Sequence, residues 1–365
     1  MHTILIVEDD PVTRLFLEEL LRQEGYRVLL AANGEEALQR FAERSCDLVL
    51  MDILMPILDG YQTCRELKKR MMAGFFVPVI FLTSVQNDTE LALCLDCGGD
   101  DFLNKPPSPI LLRARIQAWL QRAELANRLA IDRLDVENVI LKMRLDDQFD
   151  GRKLRVLMTP LGKTTGDIVL SAYRPDGVQY LMAGDFAGHG LAAAICGPLV
   201  SDTFYRLTRQ KLPLWEVITR LNGLIFQKLP LNMFLAASFV ELDRVRGKMR
   251  IWNAAFPPVL QLRSGRVQER IGPSVALLGI RPELLCDLSS VPILDWQEGD
   301  RIYLYSDGST ETRSEAGEFF SEERMELFLT KVAFAGGALE ELLSILEAFG
   351  GEQGRVDDIT LVEMA

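Results

Sequence analysis

Residues 48–60 read LVLMDILMPILDG, a run of apolar side chains interrupted by one acid, Asp52, and closed by a second, Asp59. The first 120 residues contain five apolar runs: Thr3–Val7, Arg27–Ala31, Asp47–Met51, Pro78–Leu82 and Asp101–Leu103. Amphipathic helical patterns separate these runs. This alternation predicts an α/β domain, doubly wound around a five-stranded parallel sheet, over residues 1–120.

Acidic, hydroxyl and basic side chains stand where these predicted strands end. The functional site of such a sheet lies at the carboxyl ends of its strands, which gathers Glu8, Asp9, Asp52, Thr83 and Lys105. Three converging carboxylates repel one another unless a divalent cation neutralises them, and Mg²⁺ prefers oxygen ligands. Taken singly, each residue is equally well explained as a helix cap or a loop residue. The whole set favours a phosphoryl-accepting site.

The first predicted helix has clear boundary signals. Asp10 is a suitable N-cap, Pro11 follows at the first helical position, and Gly25 ends the helix. Its spacing predicts a buried stripe made of Val12, Leu15, Phe16 and Leu20.

Four segments of this domain, ILIVEDDP, LVLMDILMPILDG, PVIFLTS and DDFLNKP, resemble the CheY-like receiver domains of two-component response regulators. The resemblance implies that Asp52 is the phosphorylation site. It also implies that Glu8, Asp9 and Asp52 hold Mg²⁺, together with the backbone carbonyl of Leu54.

The same resemblance assigns three further residues. Thr83 and Lys105 would contact the phosphoryl group, and Phe102 occupies the aromatic switch position. The chain has only two histidines, so the phosphoryl donor is expected to be a separate histidine kinase or phosphotransfer protein.

A helical pattern continues past Trp119 without Pro or Gly until Gly151, which predicts a helical linker over residues 121–150. Heptad-like steps connect Ile131, Leu134, Asn138, Leu141 and Leu145. Such a seam favours a coiled coil that joins two copies of the chain. The alternative is a single amphipathic helix that lies on its own domain.

Residues 151–365 have a different pattern. Apolar strands are predicted at Leu154–Met158, Asp167–Tyr173, Val178–Ala183, Phe234–Leu242, Met249–Trp252, Val259–Leu262, Arg301–Tyr305 and Ile359–Val362. Helices are predicted at 189–208, 214–229, 321–332 and 338–349. Many strands with separate helix pairs predict an α+β domain, a β-sandwich flanked by helices.

Aspartates mark the ends of these strands. Asp167 opens one strand, Asp185 and Asp307 close two others, and Asp357 and Asp358 precede the last. Each alone is ordinary turn chemistry. Together they can converge at one end of the sandwich, where all-oxygen coordination suits Mg²⁺ or Mn²⁺. Two such ions can clamp a phosphoryl group for in-line attack.

GDFAGHGLAAA, YSDGSTE and DDITLV, in that order, resemble the metal-dependent type 2C (PPM) protein phosphatases. The closest branch is SpoIIE-like, which acts on phosphoserine in bacterial anti-anti-sigma proteins. The resemblance implies serine/threonine phosphatase activity with two Mn²⁺ or Mg²⁺ ions. Asp185 would bridge the ions, with the Phe186 carbonyl as a further ligand. Asp307 and Asp357 would hold the first ion, and Asp167 would act through water or an additional ion.

The chain departs from that family at two motifs. TTGD stands in place of GGDxxD, with Leu170 at the second acid. NAAFPP stands in place of NAGHxP, so that Ala255 and Phe256 replace Gly and His. The alternative function is therefore a weak or inactive adaptor that binds a sigma-pathway partner in a phosphorylation-dependent way. The catalytic candidates Asp185, Asp307 and Asp357 favour the enzyme, and His189 is expected to be positional.

Composition narrows the class of protein and its partners. The 365 residues are 48% apolar and 25% charged, as expected for a globular protein of more than one domain. A net charge of −12 argues against nucleic acid, and no apolar stretch is long enough to span a membrane. The acidic start differs from a signal peptide, so a cytoplasmic protein is expected.

Overall fold

The computed structural model describes residues 1–71, 74–84, 88–144, 148–162, 164–188, 191–230, 232–284, 286–351 and 354–365. The chain divides into two compact units, Met1–Asp135 and Val136–Ala365. Each unit is described by itself below. Among the described residues, no helix combines the length and apolar composition that crossing a bilayer requires.

The N-terminal unit is the predicted α/β domain. Its strands are β1 (Thr3–Val7), β2 (Arg27–Ala31), β3 (Leu48–Asp52), β4 (Val79–Thr83) and β5 (Asp101–Asn104). They form a parallel sheet in the order β2-β1-β3-β4-β5. Its helices are α1 (Pro11–Gln23), α2 (Gly34–Glu43), α3 (Gly60–Arg70), α4 (Asp88–Asp96) and α5 (Pro109–Arg144). One apolar core lies on each face of the sheet.

Helix α1 begins as predicted but buries a different face. Asp10 caps it by accepting a hydrogen bond from the Thr13 N–H. The predicted stripe is wrong, because Val12, Leu15 and Phe16 are 74%, 63% and 48% exposed. The side chains that reach the core are Leu17 and Leu21, with Leu20 packed beside them. Two faces of this helix carry apolar residues at helical spacing, so spacing alone could not choose between them.

Helix α5 is 36 residues long and runs across the boundary between the two units. Five of its exposed apolar side chains form a stripe with steps of four, seven, three and four residues, which we call the α5 stripe: Leu125, Leu129, Val136, Val139 and Met143. Ile110, Leu111 and Ile131 are exposed outside this stripe.

The α5 stripe differs from the predicted seam. In that seam Ile131 and Asn138 are exposed and Leu134 is half-buried. The side chain of Leu141, and Leu145 altogether, lie outside the described residues. The predicted boundaries at residues 120 and 150 stay a prediction.

The C-terminal unit is a sandwich of two five-stranded sheets. The strands are β6 (Leu154–Thr159), β7 (Asp167–Tyr173), β8 (Gln179–Phe186), β9 (Leu235–Asp243), β10 (Lys248–Ala254), β11 (Val259–Arg263), β12 (Arg266–Ile271), β13 (Leu294–Asp295), β14 (Arg301–Tyr305) and β15 (Ile359–Met364). One sheet has the order β13-β10-β9-β8-β7 and the other β12-β11-β14-β15-β6. Neighbouring strands in both are antiparallel.

Helices cover the outer faces of this sandwich: α6 (Leu191–Ala194), α7 (Cys196–Arg209), α8 (Leu214–Lys228), α9 (Asp307–Thr310), α10 (Ser321–Ala335) and α11 (Glu341–Gly350). One apolar core fills the space between the sheets. Another lies under α7 and α8, and a third under α10 and α11. The α+β sandwich prediction is confirmed, although the expected helix 189–208 is split into α6 and α7, and β12 and β13 were not predicted.

Candidate functional sites

The N-terminal unit brings three carboxylates together where β1 and β3 end. Glu8, Asp9 and Asp52 each offer an oxygen atom, and these atoms all lie within 4.8 Å of one another. Glu8 and Asp52 are buried, whereas Asp9 is exposed. Strand pairing aligns β1 with β3 in parallel, so their last residues meet at one edge of the sheet.

Lys105 partly neutralises this group. Its Nζ lies 2.7 Å from Glu8 Oε2 and 2.8 Å from Asp52 Oδ2. Burial would lower the pKa of Lys105, but its hydrogen bonds to Asp52 and Glu8 raise it above its ordinary value. Burial raises the pKa of Glu8 although Lys105 opposes the shift, and Asp52 adds to it. One ammonium beside three carboxylates leaves a surplus of negative charge that fits a divalent cation.

Three other residues of the N-terminal unit, Thr83, Phe102 and Leu54, were predicted to belong to this site. Thr83 is buried at the end of β4, and its carbonyl accepts a hydrogen bond from the Lys105 N–H at 2.7 Å. Phe102 is half-buried against the core on one face of the sheet. Leu54 is 70% exposed. The roles assigned to these residues stay predictions.

A second acidic group lies in the C-terminal unit. Asp185 is the penultimate residue of β8, Asp307 begins α9, and Asp357 precedes β15. Each offers an oxygen atom within 4.8 Å of the others. Asp307 was expected to close a strand, but β14 ends at Tyr305. Three segments that are distant in sequence thus deliver one carboxylate each to the same place.

Among the described residues, no basic side chain forms an ion pair with these three carboxylates. Burial raises the pKa of Asp185 to about 9, and the carboxylates of Asp167 and Asp307 contribute next. Burial also raises the pKa of Asp307, with Glu311 and Asp357 adding to the shift. Half-buried carboxylates that repel one another favour binding of divalent ions through oxygen ligands. The donor set therefore fits Mg²⁺ or Mn²⁺.

Asp167 stands beside this group but not within it. It lies directly opposite Asp185 in the pairing of β7 with β8. The side chain is 1% exposed, and among the described residues its Oδ2 has no hydrogen-bond partner. Burial raises its pKa to about 7, and the charge of Asp358 contributes.

Asp358 shapes the loop that carries Asp167. It accepts hydrogen bonds from the N–H groups of Leu161, at 2.6 Å, and Gly166, at 2.9 Å. The Ser306 hydroxyl donates to its carbonyl at 3.2 Å. Asp358 therefore fixes the TTGD segment, while its neighbour Asp357 faces the carboxylate group.

Two glycines leave room for these acids. A Cβ on Gly166 would lie 3.0 Å from Asp185 Oδ1, and one on Gly308 would lie 2.0 Å from the Asp358 carbonyl oxygen. A side chain at either position would displace a carboxylate or its backbone. Sequence reasoning did not single out these glycines, although each stands directly beside an aspartate that it did single out.

Arg355 was also missed. Its guanidinium donates to the Asp357 carbonyl at 3.1 Å and to the Thr159 carbonyl. It therefore ties the Asp357 loop to the end of β6. A single arginine in a polar loop gives no sequence signal of this kind.

The NAAFPP motif, in which the chain departs from the family pattern, forms a turn. It contributes no side chain to the acidic group. Asn253 Oδ1 accepts a hydrogen bond from the Phe256 N–H at 2.9 Å. Ala255 has a φ of 53°, where the family pattern has glycine. Phe256 is 2% exposed and packs in the core between the sheets. The replaced histidine thus corresponds to a buried core position in this chain.

Two other residues, Phe186 and His189, were predicted beside Asp185 in the sequence. Phe186 is fully buried at the end of β8, and the role of its carbonyl as a ligand stays a prediction. His189 lies outside the described residues.

Sequence profiles of two families match this chain. The profile described as response regulator receiver domain matches residues 4–117, and that of stage II sporulation protein E (SpoIIE) matches residues 175–365. These matches agree with the two compact units, a receiver fold followed by a PPM-type fold. The chain belongs to the SpoIIE family, which is of the PPM serine/threonine phosphatase type, and carries a receiver domain.

Curated relatives resemble the receiver part. The probable transcriptional regulator ycf27 of Cyanidium caldarium is 41% identical over 126 residues, which is 34% of this chain and 49% of that protein. The alkaline phosphatase synthesis transcriptional regulatory protein PhoP of Bacillus subtilis (strain 168) is 35% identical over 123 residues, 34% of this chain and 50% of that protein. The chain spans about half the length of these relatives.

A solved structure resembles the C-terminal part. The SiaA-PP2C domain of Pseudomonas aeruginosa superposes with a TM-score of 0.55 at 19% identity. The match covers 66% of this chain and 98% of that domain. At this identity the likeness shows the fold alone.

Proposed function

We propose that the C-terminal unit is a metal-dependent phosphatase that removes phosphate from serine or threonine on a regulatory protein. The observation that carries this proposal is the group Asp185, Asp307 and Asp357, whose oxygens lie within 4.8 Å of one another. The three residues come from the three motifs that resemble PPM phosphatases. We infer that a phosphoserine protein such as an anti-anti-sigma factor is the substrate.

The chain's own residues would arrange the reaction. Asp185 would be shared by two ions, with the carbonyl of Phe186 as a further ligand, and Asp307 and Asp357 would hold the first of them. Asp167 would orient a water molecule or hold an additional ion. Divalent ions bound there would supply a nucleophilic water at neutral pH and shield the phosphoryl oxygens. A water molecule would attack phosphorus in line with the serine or threonine oxygen, which would leave as the alcohol, and inorganic phosphate would be released without a covalent enzyme intermediate.

We further propose that Asp52 accepts a phosphoryl group from a histidine kinase or phosphotransfer protein. Glu8 and Asp9 would hold Mg²⁺ with Asp52 and the Leu54 carbonyl. The Lys105 ammonium, which is 2.8 Å from Asp52 Oδ2, would pair with the new phosphoryl oxygens. Thr83 and Phe102 would respond to that charge and change the state of the receiver.

We propose that the protein works as a homodimer through α5. The α5 stripe keeps a heptad spacing, which suits a second helix of the same kind. Because α5 continues from the receiver into the C-terminal unit, a change of helix packing could carry the state of Asp52 to the phosphatase.

Turnover of p-nitrophenyl phosphate and of a phosphoserine protein with Mn²⁺ tests the enzyme. Asp185→Asn is expected to lower kcat by at least about a hundredfold, because electrostatic stabilisation at the reacting phosphate is lost. The matched control is Asp202→Asn, an exposed position on α7, which should leave kcat unchanged. Absence of turnover in the wild type, with and without beryllofluoride on Asp52, would favour the adaptor alternative.

A further inference from the structure

A cavity of about 160 Å³ opens beside the candidate metal centre, between β7 and α7. Its walls come from the C-terminal unit alone. Ile168 and Leu170 of β7 form one wall, and Ser201 and Tyr205 of α7 form another. Met158 of β6 lines a third side.

The cavity is apolar and open. Phe149 and Met158 line it and are still 38% and 36% exposed. Large apolar side chains are normally covered, and an apolar cavity with a few polar groups is the usual form of a binding site. An apolar cavity of about 150 Å³ accommodates a molecule the size of benzene. The volume therefore suits one side chain such as leucine, methionine or phenylalanine.

The cavity adjoins the carboxylate group through Asp167. Asp167 is one of its lining residues and pairs with Asp185 across β7 and β8. Paired residues in antiparallel strands have Cα atoms about 5 Å apart. A group seated in the cavity is thus within a few residues of a phosphate at the carboxylate group.

The backbone of β7 also suits an extended chain. β7 is the last strand of its sheet. The Ser171 carbonyl faces away from β8, since it accepts a hydrogen bond from the Asp150 N–H at 2.9 Å. Alternation along the strand turns the N–H and C=O groups of Val169 the same way. An added strand would find both groups at the mouth of the cavity.

We propose that this cavity is a specificity site, which binds one apolar side chain of the phosphoprotein within about three residues of its phosphoserine. The proposal rests on the proposed phosphatase function and adds a sequence preference to it. The substrate's extended segment would lie along β7, its apolar side chain between Leu170 and Tyr205, and its phosphate at Asp185, Asp307 and Asp357.

The test uses the full chain and a set of phosphoserine heptapeptides built from glycine and serine. Each peptide carries one leucine, at a different position. Leucine at one position is expected to raise kcat/KM about tenfold over the leucine-free peptide, because burying that side chain stabilises the complex. A flat response across all positions overturns the proposal.

Ser201→Phe fills the cavity from α7 and should reduce the leucine preference to about onefold. The preference is a ratio on the same enzyme, so a general loss of activity does not imitate it. Ser344→Phe, at an exposed position on α11, is the matched control and should keep the full preference. Met158→Gln, which makes the wall polar, should weaken the preference in the same direction. Retention of the preference in both cavity variants overturns the proposal.

The two proposals can fail separately. Absence of wild-type turnover on p-nitrophenyl phosphate contradicts the phosphatase function. Fluorescence anisotropy of labelled peptides then measures the leucine preference as binding, with the same variants. Tighter binding of one leucine peptide, lost in Ser201→Phe, supports the cavity proposal. Equal binding of all peptides refutes it.

Discussion

Asp167 lies directly opposite Asp185 in the antiparallel pairing of β7 with β8. Two carboxylates in this position repel each other, and burial raises the pKa of Asp167 to about 7 and that of Asp185 to about 9. Yet only Asp185 shares the close group with Asp307 and Asp357. We therefore expect Asp167 and Asp185 to have different functions, although they are paired aspartates on neighbouring strands.

Asp185→Asn is expected to abolish stabilisation by metal. Mn²⁺ that binds only the folded protein stabilises it by about 2.7 kcal/mol at a hundredfold excess over Kd, so the wild-type Tm should rise when Mn²⁺ is added. The variant should show no rise, because a shared carboxylate ligand is gone. Differential scanning fluorimetry measures both, with Asp202→Asn as the control that keeps the rise. An unchanged Mn²⁺ response in Asp185→Asn would place the ions elsewhere.

The variant Asp167→Asn should distinguish Mn²⁺ binding from catalytic turnover. Because Asp167 lies outside the group of three, the variant should keep most of the Tm rise with Mn²⁺. Its kcat on p-nitrophenyl phosphate should fall by about tenfold or more, since a positioned acid beside the reacting water is lost. Loss of the Mn²⁺ response to the same degree as in Asp185→Asn would make Asp167 a main ligand.

Phe256→His restores the family residue but should not improve activity. The ring of Phe256 is 2% exposed between the two sheets, so a polar ring there should lower the free energy of unfolding by about 2–3 kcal/mol. Urea unfolding measures this difference. Phe334→His, at a position 83% exposed, is the control and should change stability little. A variant with raised kcat and unchanged stability would show that position 256 faces the site.

The Asp300 carboxyl group should make part of the free energy of unfolding depend on pH. Its side chain is buried, and Arg263 donates to it at 2.6 Å and 2.8 Å. Although burial opposes the shift, Arg263 and the Gln297 N–H lower the pKa of Asp300 below its usual value.

A carboxyl group whose pKa is lower in the folded than in the unfolded state stabilises the fold at pH values above the unfolded pKa of about 3.9. This stabilisation is lost as the pH falls through the folded-state pKa. Asp300→Asn should therefore lose stability at pH 7 and show a smaller further loss between pH 6 and pH 3.5. Urea midpoints at several pH values measure this, with Asp202→Asn expected to follow the wild type. Parallel pH curves for Asp300→Asn and the wild type would contradict the assignment.

Val139→Glu should separate the proposed dimer. A charge at the centre of the α5 stripe would be buried against a second helix, which is unfavourable unless it is paired. Light scattering after size exclusion should show the mass of one chain for this variant and of two for the wild type. Asn138→Glu, at the neighbouring position of the predicted seam, is the control. Dissociation by Asn138→Glu alone would favour the seam through Ile131 and Leu134 instead.

The sequence predicted most of the sheet architecture because buried strands leave long apolar runs. The runs ending at Val7 and Ala31 coincide with β1 and β2, and those near Asp52 and Thr83 differ from β3 and β4 by one residue at each end. β12 escaped prediction because RVQERI is largely polar and exposed, and β13 because it has only two residues. Edge strands of this kind leave little apolar signal.

The acids of the site were predictable, but their separate functions were not. Short motifs with aspartates at the ends of predicted strands indicated Asp185, Asp307 and Asp357, and the structure brings all three together. The adjacent acids Asp357 and Asp358 look alike in sequence, yet Asp358 binds backbone N–H groups of the TTGD loop. That distinction depends on which way each side chain turns in the folded chain, which spacing alone does not encode.

Gly308 and Asp358 have a consequence for how this domain can be recombined. The space of the missing side chain of Gly308 is taken by the Asp358 carbonyl, 2.0 Å from where a Cβ would be. The segments around these two residues therefore have to match each other in shape. Consider a chimera that takes the segment around Gly308 from a relative with a bulkier residue at that position. The backbone around Asp358 should then be displaced, even though every aspartate is retained.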